Sequence, residues 1–288
     1  MDGRLILEKD LSGAYALSMD EALARASGEP GASTAPSLHL YSIVEGGLLG
    51  RYQGFDGGDN WSRRPTGGPE MLCGEGVVCF GLAGVAGDGA ADLMRRVAEP
   101  LAKRLKMSIN ASGALKKQRR RVGFVAACRF QDGATLVQGA LSLDALECRS
   151  VAVAQRHLRE AFEQVMETHF AIDTPDERER ALLGRFMRRY TDPAWLDRAP
   201  SRIGWVRSGG AVIGMEVNVS NRKVAALSTW GTLVADAGAW HRTLTGLTVR
   251  AAKNAFAKMT EASLPYKLGS TPLRKAMEEA LKRRIRGA

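Results

Sequence analysis

The stretch Trp61-Ser62-Arg63-Arg64-Pro65-Thr66-Gly67-Gly68-Pro69 restricts most tightly what this chain can build. Two guanidinium groups run directly into a Thr-Gly-Gly turn. Arginine forks a carboxylate or phosphate, and glycine lets backbone N–H groups approach the anion's oxygens, so the pattern suits an anion-holding loop. Alone, Arg63 and Arg64 read as a solvated basic turn. The segments around them decide between the two.

Composition narrows the partners. The chain has 288 residues, 45% hydrophobic and 25% charged, ordinary usage for one large globular domain or two smaller ones. Its 41 Lys+Arg against 31 Asp+Glu leave a formal charge of +10, which predicts an acidic partner: nucleic acid, a nucleotide or an acidic carrier protein. Cys73, Cys79, Cys128 and Cys148 form no CxxC, and His39, His157, His169 and His241 form no HxxxH, so neither a zinc site nor a disulfide framework is expected. Met1-Asp2-Gly3-Arg4 lacks the layout of a signal peptide, and no apolar run approaches membrane-spanning length. Together these predict a reducing, cytoplasmic setting.

In chain order, Ser12 is placed to cap a helix reaching Ala26, read as an amphipathic surface helix with Asp20-Glu21 in its middle. Residues 38–44 and 48–53 read as strands, and the glycine-rich stretch 54–60 leads to the arginine loop. A buried strand is expected over 77–82. A helix is expected over 92–106, with Pro100 as a kink. The most basic segment, Lys116-Lys117-Gln118-Arg119-Arg120-Arg121, enters a β-hairpin: strand 122–130, the turn Gln131-Asp132-Gly133, then strand 135–143. Helices are expected over 151–171 and from Thr174 to Tyr190. Beyond them, 203–207, 211–219 and 223–230 alternate as an antiparallel meander, followed by helices over 236–244, 248–261 and 271–285.

Four segments resemble, in order and near the same spacing, the N-terminal landmarks of the lipoate-protein ligase and octanoyltransferase family. They are Ser18-Met19-Asp20-Glu21-Ala22-Leu23-Ala24, Pro36-Ser37-Leu38-His39-Leu40-Tyr41, Gly50-Arg51-Tyr52-Gln53 and Arg63-Arg64-Pro65-Thr66-Gly67-Gly68. The resemblance implies an α+β fold: a mixed or antiparallel sheet flanked by helices, biotin/lipoate ligase-like, with the ligand lying along it. It further implies a catalytic domain over 1–174, a linker helix over 175–190 and a smaller α+β accessory domain over 191–288. Tyr190 and Trp195 with the meander resemble that accessory domain's opening.

The chain also departs from the family's pattern. Where relatives continue Gly-Ala-Val, an aromatic and then His, it has Pro69-Glu70-Met71-Leu72-Cys73-Gly74, so Cys73 falls at the histidine. Arg121-Val122-Gly123-Phe124-Val125-Ala126 matches the family's Gly-x-Lys-Ile-x-Gly-x-Ala, with Arg121 at the catalytic lysine, and Val137-Gln138-Gly139-Ala140-Leu141 matches its His-Gly segment. The implied site therefore binds lipoate and its adenylate through Arg63, Arg64, Thr66, Gly67, Gly68, Cys73, Gln138 and Gly139. Arg121, or Lys116 or Lys117 beside it, supplies the central positive charge. Strand alternation places Arg121 with Gly123, Val125 and Ala127 on one face and Cys128 on the other, as a core residue if Arg121 faces the ligand.

The implied activity is an ATP-dependent ligase that adenylates lipoate or octanoate and transfers it to a lysine of an acidic lipoyl carrier domain. Mg2+ would accompany the nucleotide, with no metal held by a protein motif. One alternative is a transferase working through an acyl-cysteine, for which Cys73 is the cysteine nearest the loop. Another is a non-catalytic relative that binds lipoylated protein or nucleic acid. The Lys116–Arg121 run favours nucleic acid, but no aromatics interleave it. No membrane partner is expected.

Overall fold

The structure is a computed structural model that describes residues 2–29, 35–51, 60–86, 90–110, 113–130, 132–196, 204–208, 211–220, 223–231 and 243–257. The chain opens with strand β1 (Gly3–Leu7), helix α1 (Gly13–Ser27), then β2 (Ser37–Tyr41), β3 (Gly46–Leu49), β4 (Trp61–Arg63), β5 (Met71–Cys73) and β6 (Val77–Ala83). Helix α2 (Ala90–Leu93) passes through a π-helical turn (Met94–Ala98) into α3 (Glu99–Arg104). Next come β7 (Ser108–Ile109), β8 (Ala114–Lys117), β9 (Arg120–Arg129), β10 (Thr135–Ser142), α4 (Val151–Met166), β11 (Phe170–Ile172), α5 (Glu177–Tyr190) and α6 (Pro193–Leu196). The C-terminal part holds β12 (Gly204–Ser208), β13 (Ala211–Ser220), β14 (Lys223–Gly231) and α7 (Val249–Ala257).

Eight strands form one mixed sheet in the order β11-β1-β2-β6-β10-β9-β8-β7, parallel between β11, β1 and β2 and antiparallel across the rest. β3, β4 and β5 form a second, three-stranded sheet, and β12–β14 form the expected meander. The fold is thus the α+β arrangement expected from the sequence. The expected helix over 271–285 and most of that over 236–244 lie outside the described residues, as does the glycine-rich stretch up to Asp59.

The β9–β10 hairpin forms where the pattern put it, pairing Thr135 with Arg129 through Leu141 with Gly123. Its neighbour β6 shows how the sheet is covered. Phe80 packs edge-on to Phe162 of α4, while a side chain on the next residue, Gly81, would strike Asp20 of α1. Adjacent residues of a strand face opposite ways, so α4 lies on one face of the sheet and α1 on the other.

Three local expectations change. Helix α1 is capped by Ser12 as predicted, but it is a core helix: Ala16 to Ala24 are all buried, including Asp20 and Glu21, because α5 packs against it. The stretch 92–106 is interrupted ahead of Pro100. Proline lacks an N–H and its ring crowds the carbonyl four residues back, so the chain widens to a π turn, with the Glu99 N–H donating to Met94 O, before regular helix resumes. The helix beginning at Val151 stops at Met166, where Glu167 turns left-handed (φ 50°), and Phe170 enters a strand instead. That strand pairs with β1 at Gly3, a strand not foreseen from the sequence, and the ring of Phe170 occupies the space a Gly3 side chain would need.

Candidate active site

Parallel pairing of β4 with β3 sets Arg63 opposite Leu49 and delivers the loop beneath the sheet. Both arginines are buried, at 1% and 0% exposure. Arg63 donates through Nε and Nη2 to Leu196 O (2.9 and 2.6 Å) and through Nη1 to Gly50 O (3.1 Å). Trp195 Nε1 donates back to Arg63 O (2.8 Å), so the arginine ties α6 to the loop. Arg64 folds into the turn it precedes: Nη1 donates to Leu48 O (3.1 Å), and Nη2 donates to Gly67 O (2.8 Å) and Pro69 O (3.0 Å). Its guanidinium also stacks 3.7 Å from the Phe124 ring centroid. Burial lowers Arg64 from the usual arginine range to about 9, which leaves it charged at neutral pH. Gly68 has φ +87°, a left-handed conformation that a side chain would strain. These residues form a turn braced from inside by two cations rather than a solvated basic turn.

A buried polar chain leads away from the loop. Thr66 Oγ1 donates to Gln138 Oε1 (2.9 Å), and Gln138 Nε2 donates to Asp20 Oδ2 (2.6 Å), which also accepts from the Tyr41 hydroxyl (3.0 Å). Asp20 Oδ1 lies 2.9 Å from His39 Nδ1, and His39 Nε2 lies 2.9 Å from Glu8 Oε2. The strand register explains the convergence: His39, Gly81 and Gln138 stand side by side on β2, β6 and β10, and the Asp20 carboxylate enters over the missing side chain of Gly81. Burial opposes a charge on His39, but hydrogen bonds to Asp20 and Glu8 outweigh it and raise its pKa. A carboxylate stands at each ring nitrogen, an arrangement that favours the protonated imidazole. Sequence reasoning missed Asp20 and His39 as site-supporting residues. Their available signal was a glycine at the strand position between two polar neighbours, visible only once the register is known.

The other predicted residues do not join this cluster. Gly139 faces the opposite side of the sheet, where a side chain would meet Phe80. Cys73 Sγ donates to Met71 O and lies 4.0 Å from Cys79 Sγ. Among the described residues, no histidine contacts it. Burial raises Cys128 to about 12, a thiol inert at neutral pH. It lies on the same strand face as Phe124, over which Arg64 stacks. The β8–β9 ladder slips by one residue between Leu115 and Lys116, so Arg121, paired with Lys116, returns to the Phe124 face and the strict alternation expected for it does not hold. Lys117 Nζ is held by Ala145 O (2.8 Å) and Glu147 Oε1 (2.6 Å), and Lys116 points to solvent.

Arg121 stands apart from Arg64. It is 49% exposed, 3.2 Å from Glu70 Oε1, and lines an open cleft of about 390 Å3 with Trp61, Glu70, Met71, Leu72 and Val122. The small sheet forms one wall and the start of the hairpin the other. Gly47 lets the Trp61 ring lie flat against β3, where a side chain would come within 2.3 Å of it. The cleft is therefore apolar-walled with one cation at its edge.

No family model matches the sequence, and no curated protein matches it. Solved structures do. The lipoate-bound LipL1 of P. falciparum superposes at a TM-score of 0.61 with 12% identity, over 90% of this chain and 95% of that one. A bi-partite lipoate protein ligase from Thermoplasma acidophilum, studied with its E2 lipoyl domain, gives 0.57 and 19% over 68% and 96%. An ATP-bound lipoate-protein ligase A gives 0.55 and 20% over 68% and 98%. The fold is that of the lipoate-protein ligases. In this ligase fold the arginine loop is a buried brace, and the accessible cation beside it is Arg121.

Proposed function

We propose that this chain is an ATP-dependent ligase of the lipoate-protein ligase type, acting on a medium-chain acid such as lipoate or octanoate. The observation that carries the proposal is the cleft of about 390 Å3 that joins the apolar side chains of Trp61, Met71, Leu72 and Val122 to a single accessible guanidinium, Arg121. That volume lies within the range of small-molecule sites, and the lining suits an acyl tail ending in a carboxylate. Fold likeness to proteins bound to lipoate and to ATP supports the same reading.

In the first step the acid's carboxylate attacks the α-phosphorus of ATP, giving acyl-adenylate and pyrophosphate. In the second, a lysine amine of an acidic carrier domain attacks the acyl carbon. A C–N bond forms, the C–O bond to AMP breaks, and the amine proton passes to solvent. Arg121 holds the carboxylate and stabilises charge that builds on the oxygens. It is permanently protonated and cannot itself move a proton. Its exposed pair with Glu70 is worth about 0.2–1 kcal/mol, so an anionic ligand displaces Glu70 at small cost. Mg2+ would accompany the nucleotide, held largely by phosphate oxygens and water, which needs no cluster of protein ligands. In this reading 1–174 is the catalytic unit, 175–190 the link and 191–288 the accessory unit.

The test is acid-dependent pyrophosphate exchange with ATP, followed by mass spectrometry of a lipoyl carrier domain. Exchange with lipoate or octanoate and a matching mass gain on the carrier are expected. Absence of both overturns the proposal, and acyl transfer from an octanoyl carrier without ATP that vanishes in Cys73→Ser would replace it with the acyl-cysteine route.

A further inference from the structure

The hairpin that carries Arg121 into the cleft ends in an arrangement that the fold itself does not favour. β8 and β9 pair Lys116 with Arg121 and Lys117 with Arg120, two like-charged pairs directly across an antiparallel ladder. Like charges at such positions repel. The two residues that turn the hairpin, Gln118 and Arg119, both have left-handed backbone (φ 49° and 67°), a conformation for which two-residue turns ordinarily use Asn and Gly. Lys116, Gln118, Arg119, Arg120 and Arg121 are all exposed. Two carboxylates answer part of this charge: Glu147 takes Lys117 and Glu70 takes Arg121. Among the described residues, no ion pair takes Lys116, Arg119 or Arg120. The tip therefore concentrates cations at a cost to local stability, at the end of the element whose base lines the cleft.

We propose that the β8–β9 tip is the docking surface for an acidic face of the acyl-accepting protein. The inference rests on the ligase reading and adds the place where the acceptor is held. Charge complementarity selects an anionic partner, because only outside carboxylates or phosphates relieve the cross-strand repulsion. Residues 114–121 contain no aromatic side chain, so the tip offers no platform for stacked bases, which favours an acidic protein over nucleic acid. Proximity selects a partner that reacts: a protein seated on Arg119 and Arg120 places its surface near Arg121, and so brings an acceptor amine to the cleft. A charge-steered contact of this kind forms quickly and weakens with salt.

The experiment uses the full chain and two probes, an apo lipoyl carrier domain with an acidic face and a short DNA duplex, and measures binding by fluorescence anisotropy across a salt series. Wild type should bind the carrier in a salt-sensitive manner, and Arg119→Glu/Arg120→Glu should bind it on the order of tenfold or more weakly. Arg119→Gly/Arg120→Thr, which relieves both the left-handed turn and one repelling pair, should keep or raise Tm while still weakening carrier binding. Undiminished carrier binding in both variants overturns the proposal, as does a wild type that binds no carrier or prefers the duplex. Pyrophosphate exchange needs no carrier and reads the chemistry separately. Unchanged exchange in the tip variants with lost carrier binding supports the docking role. Tip-dependent carrier binding without exchange in wild type would reject the ligase reading and leave the docking surface standing.

Discussion

The two arginine-bearing regions of this molecule make opposite uses of the same side chain. Arg64 is wholly buried, with its guanidinium on Leu48 O, Gly67 O and Pro69 O and over the Phe124 ring. Arg121 is 49% exposed on an open cleft and held by one equally accessible carboxylate. A cation whose donors are taken up by its own backbone builds shape, whereas a cation with a replaceable partner can meet a ligand. The loop that looks most like an anion site in the sequence is the brace, and the residue that looks like a flawed catalytic position is the accessible one.

The sharpest way to break this contrast is at the brace. Arg64→Ala removes three hydrogen bonds and leaves both a cavity and unpaired carbonyls, so urea denaturation should show a loss of about 3–5 kcal/mol. Wild-type stability in that variant would mean the loop does not depend on its inner cation. Asp20→Ala should cost nearly as much, about 3 kcal/mol or more, because it leaves His39 Nδ1 and the Gln138 amide without their buried partner. Gly81→Ala should cost about 1–3 kcal/mol by pushing a methyl group against Asp20.

Smaller effects follow on the titration side. The folded pKa of His39 is raised above 6.5, so its contribution is fully present below that pH and is lost as pH rises through the folded value. Stability measured from pH 6 upward should fall more steeply in wild type than in His39→Gln. The smallest stability change belongs to the exposed region: Arg121→Ala should stay within about 0.5 kcal/mol of wild type, yet lower acid-dependent pyrophosphate exchange by about 100-fold. A large loss of stability with unchanged exchange would reverse the roles of the two regions.

Much of the fold was legible because local chemistry wrote it. Ser12 caps α1, alternation marks β9 and β10, and the four landmark segments lie in family order. Errors arose where a distant partner overrode a local pattern: Phe170 continues a helical stripe but is taken by Gly3 of β1, and Asp20 and Glu21 look like solvent-facing acids until His39, Tyr41 and Tyr190 are brought to them. Of the candidate site, Arg64, Thr66 and Gln138 do converge, while Gly139, Lys117 and Cys73 are turned to other neighbours.

By itself the sequence determined the longer helices and strands, their order and the residue types available for anion chemistry, since capping, alternation and turn preference act over a few residues. Only the tertiary structure decided which arginine is sealed inside and which meets solvent. That choice depends on pairings between positions far apart in the chain, such as Thr66 with Gln138 and Arg63 with Leu196, which no local pattern encodes.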